Sequence, residues 1–380
     1  DLRTGIILEE VEAITPNARF VVFDACYNGD YREDDFIAGH YIMAPGRCVT
    51  TFANSVNVLQ DKSAFDLLGL LGEGLRIGAW AKNIHILESH VIGDPTYRFK
   101  AARPELGINS MALKRDNGFW LGQLDNAVPD IQNLAMIRLW ENDYPQLPAI
   151  LLDKCSESPY SVVRYNAFRL LESLNGPEYK QALMLAAYDR FEFLRRIAVT
   201  RMGRIGDEAF IPVLIDVYVK DRNAARIVFN ISEAIRCFDK PKVEKAIETY
   251  FADKDFYHAR EEKQELLDKL IERDGLSPGE SSTREILDSH GKLRWRQSRI
   301  SFLKNRPYHQ HVTEYLTLLA DEQAPEILRV RMAEALAWFN LSVRRHEIAD
   351  AGRQLLARGN CSPELAKEVQ RMINRVESKK

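Results

Sequence analysis

Apolar and polar positions follow two different rules along the chain. From Ile6 to Ile14 apolar residues recur at helical spacing, and Thr15-Pro16-Asn17 supplies a stop and a turn. Phe20-Val21-Val22-Phe23 is an uninterrupted apolar run, the pattern of a strand covered on both faces in a parallel sheet. A second strand is expected over Cys48-Val49-Thr50-Thr51-Phe52, entered through Pro45-Gly46. Between Asp61 and Gly74 the spacing of Phe65, Leu67, Leu68, Leu70 and Leu71 predicts an amphipathic helix. Another helix is expected near Ile77 to Leu87, with His90 to Pro95 leading to a third strand over Thr96 to Phe99. Residues 1–100 therefore predict an α/β domain, a parallel-rich sheet flanked by helices.

Residues 101–128 are rich in Gly, Pro and Asn and read as a junction, after which the strand signal stops. A repeat replaces it. Arg164, Arg195 and Arg226 lie 31 residues apart, each in an amphipathic segment followed by a break and a second helix. Such a period predicts an all-α solenoid over 129–376, with an irregular insertion near 252–292 where Ser277 to Ser282 reads as a loop. Phe193 to Leu214, with Gly206-Asp207 between its helices, resembles a HEAT repeat, and so does the first-helix pattern at 327–338. The three arginines should form a ladder, with Asp153, Glu172, Asp207 and Glu233 as nearby candidate partners.

Composition narrows the function classes. The 380 residues are 46% apolar and 28% charged, a globular balance that excludes wholesale disorder. The net charge is −3, with 9 basic and 14 acidic groups in the first 100 residues. A general nucleic-acid binder needs a denser basic surface, so nucleic acid is not an expected partner. No apolar run approaches a membrane span. Five cysteines, odd in number and widely spaced, make neither a disulfide framework nor a zinc-type pair. Lys292, Arg294, Arg296, Arg299, Lys304 and Arg306 interleave with Trp295, Phe302 and Tyr308, a pattern that suits a solvated helix face, an acidic partner or nucleic acid. His309-Gln310-His311 is a weak metal pair without further nearby ligands.

Reactive chemistry centres on Cys26, which follows the apolar strand in Phe23-Asp24-Ala25-Cys26-Tyr27-Asn28-Gly29. The carboxyl end of a strand is where an α/β sheet presents reactive groups, and a turn there can aim backbone N–H groups at an oxyanion. Three motifs in order then carry a family resemblance: Ala25-Cys26-Tyr27-Asn28-Gly29, Gly46-Arg47-Cys48-Val49-Thr50-Thr51 and Gly93-Asp94-Pro95-Thr96. Residues 1–100 resemble the carboxyl-terminal part of the gingipain-type cysteine peptidases, within the caspase-like group. Related caspase-like domains that work with separate partner modules share some of these features.

The resemblance implies a cysteine endopeptidase with Cys26 as nucleophile and Ala25, Tyr27, Asn28 and Gly29 as its loop and oxyanion site. It places the S1 pocket after the second strand, at Asn54, Ser55, Asn57, Asp61 and Asp66, where Asp61 or Asp66 would select Arg or Lys. The family's histidine should precede the cysteine, yet none lies in residues 1–25. We therefore expect that Asp1 lies inside the domain, and that an N-terminal peptidase segment or chain completes the sheet and brings the base. His40 lies on the wrong side of the cysteine for the family, and His85 and His90 flank the last helix. Asp30, Glu33, Asp34 and Asp35 could line a basic pocket, hold calcium or simply face solvent; no other cofactor is expected. The solenoid would recruit a protein substrate or assembly partner. Relatives of this type are commonly exported bacterial proteins, which favours secretion or the periplasm. The alternative is an inactive peptidase-like domain on a protein-binding HEAT scaffold.

Overall fold

The computed structural model describes residues 7–58, 66–84, 86–272 and 275–378, and their contacts divide the chain into two compact units, Asp1–Leu147 and Pro148–Lys380. The chain is mostly helical, with one small mixed sheet in the first unit. Among the described residues no helix is long and apolar enough to cross a membrane.

The sheet has the order β1 (Phe20–Phe23), β2 (Thr50–Asn54), β3 (Ser89–Gly93). β1 and β2 are parallel, with Phe20 opposite Thr50; β3 runs antiparallel to β2, with Asn54 opposite Ser89. Side chains alternate between faces along a strand. Phe20 and Phe52 accordingly share one face and meet the Trp80 ring at 5.8 and 4.9 Å, while Phe23 on the other face meets Tyr41 at 5.0 Å. Trp80 belongs to the helix Ile77–Ala81 and Tyr41 to the helix Ile37–Met43, so helices lie on both faces. All five residues of β2 are buried, whereas all four of β1 are only half-buried. β2 is thus the covered centre of the sheet, and among the described residues β1 and β3 are its two edges.

Several expected boundaries move. The third strand is Ser89–Gly93, not Thr96–Phe99, because the Asp94 carboxylate accepts from the Thr96 N–H and hydroxyl and turns the chain. The helix at Ile77 stops at Ala81, where the Asn83 amide donates to the Ala79 and Trp80 carbonyls. Of the helix expected from Asp61, the described part is Gly69–Gly72; residues 59–65 lie outside the described residues. The junction is built of short helical turns that bury Ile108 and Trp120, and the helix Pro129–Glu141 also belongs to the first unit.

In the second unit paired helices follow one another from Ser161–Leu174 and Pro177–Ala186 to Arg345–Ala357 and Pro363–Glu377. Two rungs of the expected arginine ladder, Arg164 and Arg195, share one arrangement, with other partners than expected, while Arg226 is exposed. Arg164 donates from Nε and Nη2 to Asp189 at 2.6 and 2.8 Å, and from Nη1 to the Ser158 carbonyl. Arg195 repeats the arrangement, reaching Asp221 at 2.7 Å and the Asp189 carbonyl. Of the expected partners, Glu172 pairs with Arg201, Asp207 with Lys180 and Glu233 with Arg306. A second arginine pattern follows: buried Arg296 and Arg329 each donate to a carbonyl ten residues earlier, Ile286 and Leu319. Ser277 to Ser282 is not a loop. Ser277 and Glu280 form a capping box that opens the helix Pro278–Leu287.

A stacked array needs only nearest-neighbour contacts, but this one is also tied across a longer interval. His309 Nε2–H donates to the Gly203 carbonyl at 2.9 Å and its Nδ1 accepts from the Ser342 hydroxyl at 2.8 Å. Val343 N–H donates to the Ile205 carbonyl, and Arg306 pairs with Glu233 at 2.6 Å. With both ring nitrogens engaged, His309 is a structural residue rather than half of a metal pair. The basic stretch is similarly committed: Arg299 pairs with Glu285, Lys304 with Glu334, and Tyr308 is buried.

Two stability predictions follow from burial. Arg164 and Asp189 are 3% and 9% exposed, Arg195 and Asp221 18% and 23%. Arg164→Ala strands a buried carboxylate and should cost about 3–5 kcal/mol, whereas Arg195→Ala should cost about 1 kcal/mol; urea unfolding of both variants checks the ranking. Burial also lowers the His309 pKa to about 4. The unfolded chain then binds the proton first, so stability falls as pH drops from about 6.5 to about 4. Melting curves of His309→Gln, which keeps an amide donor but cannot titrate, should show a weaker loss over that window.

Candidate functional site

β1 delivers its last residue, Phe23, to the carboxyl edge of the sheet, and the turn that follows exposes Ala25, Cys26 and Tyr27. Asn54, the last residue of β2, ties this turn down. Its Nδ2 donates to the Phe23 and Ala25 carbonyls at 3.4 and 3.5 Å, while its Oδ1 accepts from the Ser89 hydroxyl of β3. Tyr27 takes a left-handed backbone, φ +57°, a strained choice for a residue with a side chain. Its N–H donates to the Val56 carbonyl, and that of Gly29 to the Asn54 carbonyl at 2.9 Å. A Cβ at Gly29 would lie 2.8 Å from Ala53, so only glycine lets the loop return this close to β2.

The Cys26 sulfur is exposed and accepts the Val58 N–H at 3.3 Å. Val58 also lines a cleft of about 300 Å³ beside the turn. Tyr27, Asn54 and Asn57 form part of its wall, Val56, Val58 and Ile86 supply apolar surface, and Asp24 and Glu88 bring two carboxylates. Cys26 thus stands at the rim of a mixed apolar and anionic cleft. Of its loop, Tyr27 and Gly29 have committed their N–H groups, while those of Cys26 and Asn28 make no hydrogen bond among the described residues.

The sequence-predicted pocket residues divide. Asn54 and Asn57 line the cleft. Ser55 is buried elsewhere, its hydroxyl 2.8 Å from His90 Nε2 and its carbonyl accepting from Arg32. The Asp66 carbonyl accepts from the Trp80 indole, away from the cleft lining, and Asp61 lies outside the described residues. Asp24 and Glu88 were missed. Asp24 was findable as the polar residue directly after an apolar strand; Glu88 had no signal, because β3 was placed too late.

Among the described residues no histidine bonds Cys26. His40 lies 3.5 Å from Asp35 and 3.7 Å from Glu12. His90 sits on β3 rather than beside a helix; it packs edge-on against Tyr31 and burial lowers its pKa. His85 lies outside the described residues. In the acidic loop Asp30 is held by Arg32 at 2.6 and 2.7 Å, a bond that keeps its pKa below the usual carboxylate range, and Asp35 faces His40. Among the described residues no three His, Cys, Asp or Glu side chains gather to hold a metal ion, these four carboxylates included.

No protein-family model and no curated protein matches the chain. Among solved structures it is similar to human deoxyhypusine hydroxylase in complex with glycerol, at 16% identity over 61% of this chain and 96% of that one, with a TM-score of 0.26. A superposition of that quality carries no argument about fold or activity.

The thiols should differ in reactivity. Burial pushes Cys155 and Cys237 up to about 12 and raises Cys48 as well, while Cys26 is exposed. Limited alkylation near neutral pH followed by peptide mass spectrometry should therefore label Cys26 first. First labelling at Cys155 or Cys237 would contradict this placement.

Proposed function

We propose that the first unit is the carboxyl-terminal part of a gingipain-type, caspase-like cysteine endopeptidase domain, with Cys26 as nucleophile. The observation that carries this reading is an exposed sulfur just past the end of β1, on the rim of a cleft lined by Asp24 and Glu88, which form no ion pair among the described residues. The Cys26 thiolate attacks the scissile carbonyl carbon, and the oxyanion is met by the free N–H groups of Cys26 and Asn28. A histidine from an N-terminal peptidase segment or partner chain takes the thiol proton and returns it to the departing amine; water then hydrolyses the thioester. The half-buried, one-sided β1 is where that segment adds a strand.

The cleft suits a long basic side chain. Val56, Val58 and Ile86 would cover its aliphatic stem, and Asp24 with Glu88 would receive the cationic head. The selecting carboxylates are thus Asp24 and Glu88 in place of Asp66. The second unit serves as a scaffold for a protein substrate or assembly partner. A second reading, an inert domain on a binding scaffold, is favoured by the lack of a histidine against Cys26 among the described residues.

The chain should be inactive alone and hydrolyse peptides after Arg or Lys once assembled with its histidine-bearing partner. Cys26→Ala should abolish turnover in that assembly. Asp24→Asn should lower kcat/KM for basic substrates about tenfold or more, with a smaller effect on apolar ones, as expected for a lost charge-assisted contact. Turnover that survives Cys26→Ala would end the peptidase assignment.

A further inference from the structure

Two helices of the second unit hold the same register. Arg296 in the helix Leu293–Phe302 donates to the Ile286 carbonyl at 2.8 Å, and Arg329 in the helix Glu326–Leu336 donates to the Leu319 carbonyl at 3.0 Å. Both arginines are buried and both acceptors lie ten residues back, so the helices align position by position. Ile300 and Leu303 then match Ala333 and Leu336, and all four are wholly buried.

The match fails on one face. Leu328, Met332 and Ala335 recur at i, i+4 and i+7, a single helical stripe, and are wholly buried in the apolar core of the repeats. Their counterparts are Trp295, Arg299 and Phe302, and of these Trp295 and Phe302 are 63% and 50% exposed. A stacked array covers such a stripe with a helix of the adjoining repeat. The helix Leu293–Phe302 packs against Pro278–Leu287 and Glu326–Leu336 and leaves its own stripe open. Two large aromatic side chains, about 10.5 Å apart along the axis, therefore stand where the register of the repeats puts a helix.

Charge narrows the occupant further. The helix contains three arginines and no acidic residue. Arg299 is committed to Glu285 and Arg296 to its carbonyl, whereas exposed Lys292 and Arg294, beside the amino-terminal end of the stripe, make no side-chain hydrogen bond or ion pair among the described residues. Two free cations are too few for a nucleic-acid backbone, whose affinity grows with each phosphate neutralised. A second copy of this helix would bring cations and no anion to meet them.

We propose that the stripe of Trp295 and Phe302 is a docking surface for an amphipathic helix of a partner protein, with carboxylates beside its apolar face that meet Lys292 and Arg294. The partner helix takes the place that a repeat helix holds over Leu328, Met332 and Ala335. This rests on the scaffold reading of the second unit and is independent of Cys26.

The probe is a labelled alanine-based helical peptide with leucines at i, i+4, i+7 and i+11 and glutamates beside them. Its fluorescence anisotropy on titration with the full chain should show saturable binding that weakens as salt rises. Trp295→Ala and Phe302→Ala should each weaken it about tenfold or more, as central aromatic anchors do. Replacing Lys292 and Arg294 together by Gln should cost about tenfold, and so should replacing the peptide's glutamates by lysines. Tyr257→Ala, a more exposed aromatic elsewhere, should leave binding unchanged. The substituted positions are exposed, so melting temperatures should match the parent's; if Trp295→Ala lowers its own, Arg294→Glu carries the test. Peptide binding that survives both aromatic substitutions overturns this face and leaves the scaffold reading standing. Tighter binding of a single-stranded oligonucleotide overturns both. Absence of saturable peptide binding, or a dimer in sedimentation that Phe302→Ala dissolves, also overturns the proposed occupant.

Discussion

The first unit depends on the saturation of β2. That strand is paired on both sides, buried at all five positions, and closed by Asn54, whose side chain bonds the backbone before Cys26 and the Ser89 hydroxyl of β3. A buried polar group left without a partner costs about 1–3 kcal/mol, so the end of β1 and the start of β3 are set at one level by the same residue. The Cys26 turn and Glu88 follow from that level on opposite sides of Asn54. The cleft between them is a consequence of how β2 ends, and Asp24 and Glu88 line it without an ion pair among the described residues.

Much of this was legible in the residues. An all-apolar run marked β1, and its last residue matched, because four consecutive apolar positions admit few other structures. β2 was placed two residues early, since Cys48 and Val49 carry the same apolar signal while lying outside the ladder. β3 was missed because His90 and Gly93 interrupt its apolar pattern, and because Thr96 to Phe99 looks like a strand until the Asp94 turn is seen. Ser277 and Glu280 carried a readable capping box that the neighbouring Pro278-Gly279 masked. Asn54 lines the cleft, but its larger task of bonding two carbonyls of another strand's turn is a long-range contact with no local signature.

The second unit shows which part of a repeat a sequence can reveal. A spacing of 31 exposed Arg164 and Arg195, because the same geometric slot recurs at each step. The acceptors stayed hidden: both lie 25 or 26 residues onward, in the turn before the next unit, where aspartate is common for turn chemistry alone. Arg296 and Arg329 obey a different grammar, donating to carbonyls left open ten residues earlier. Arg296 thereby leaves the basic surface to which its charge seemed to assign it, which removes a central cation from any nucleic-acid stripe. Side-chain charge reports on function only after the acceptors have been counted.

The same counting constrains where a base for Cys26 must come from under the peptidase reading. On the β3 side of the nucleophile turn the space is occupied: Asn54, Ser89 and Ser55 bond one another's neighbourhood, and His90 is engaged with Ser55. The opposite side is the edge of β1, which pairs with no further strand among the described residues and where Phe20 to Phe23 remain half-buried. A strand added to that edge would lie about 4.8 Å away, and if parallel to β1 it would end level with the Cys26 turn. An imidazole following such a strand would then approach the sulfur from the side that Asn54, Ser89 and Ser55 leave open. Completion of the sheet and delivery of the base are then one structural event, because the apolar edge that attracts the strand also fixes where its carboxyl end arrives.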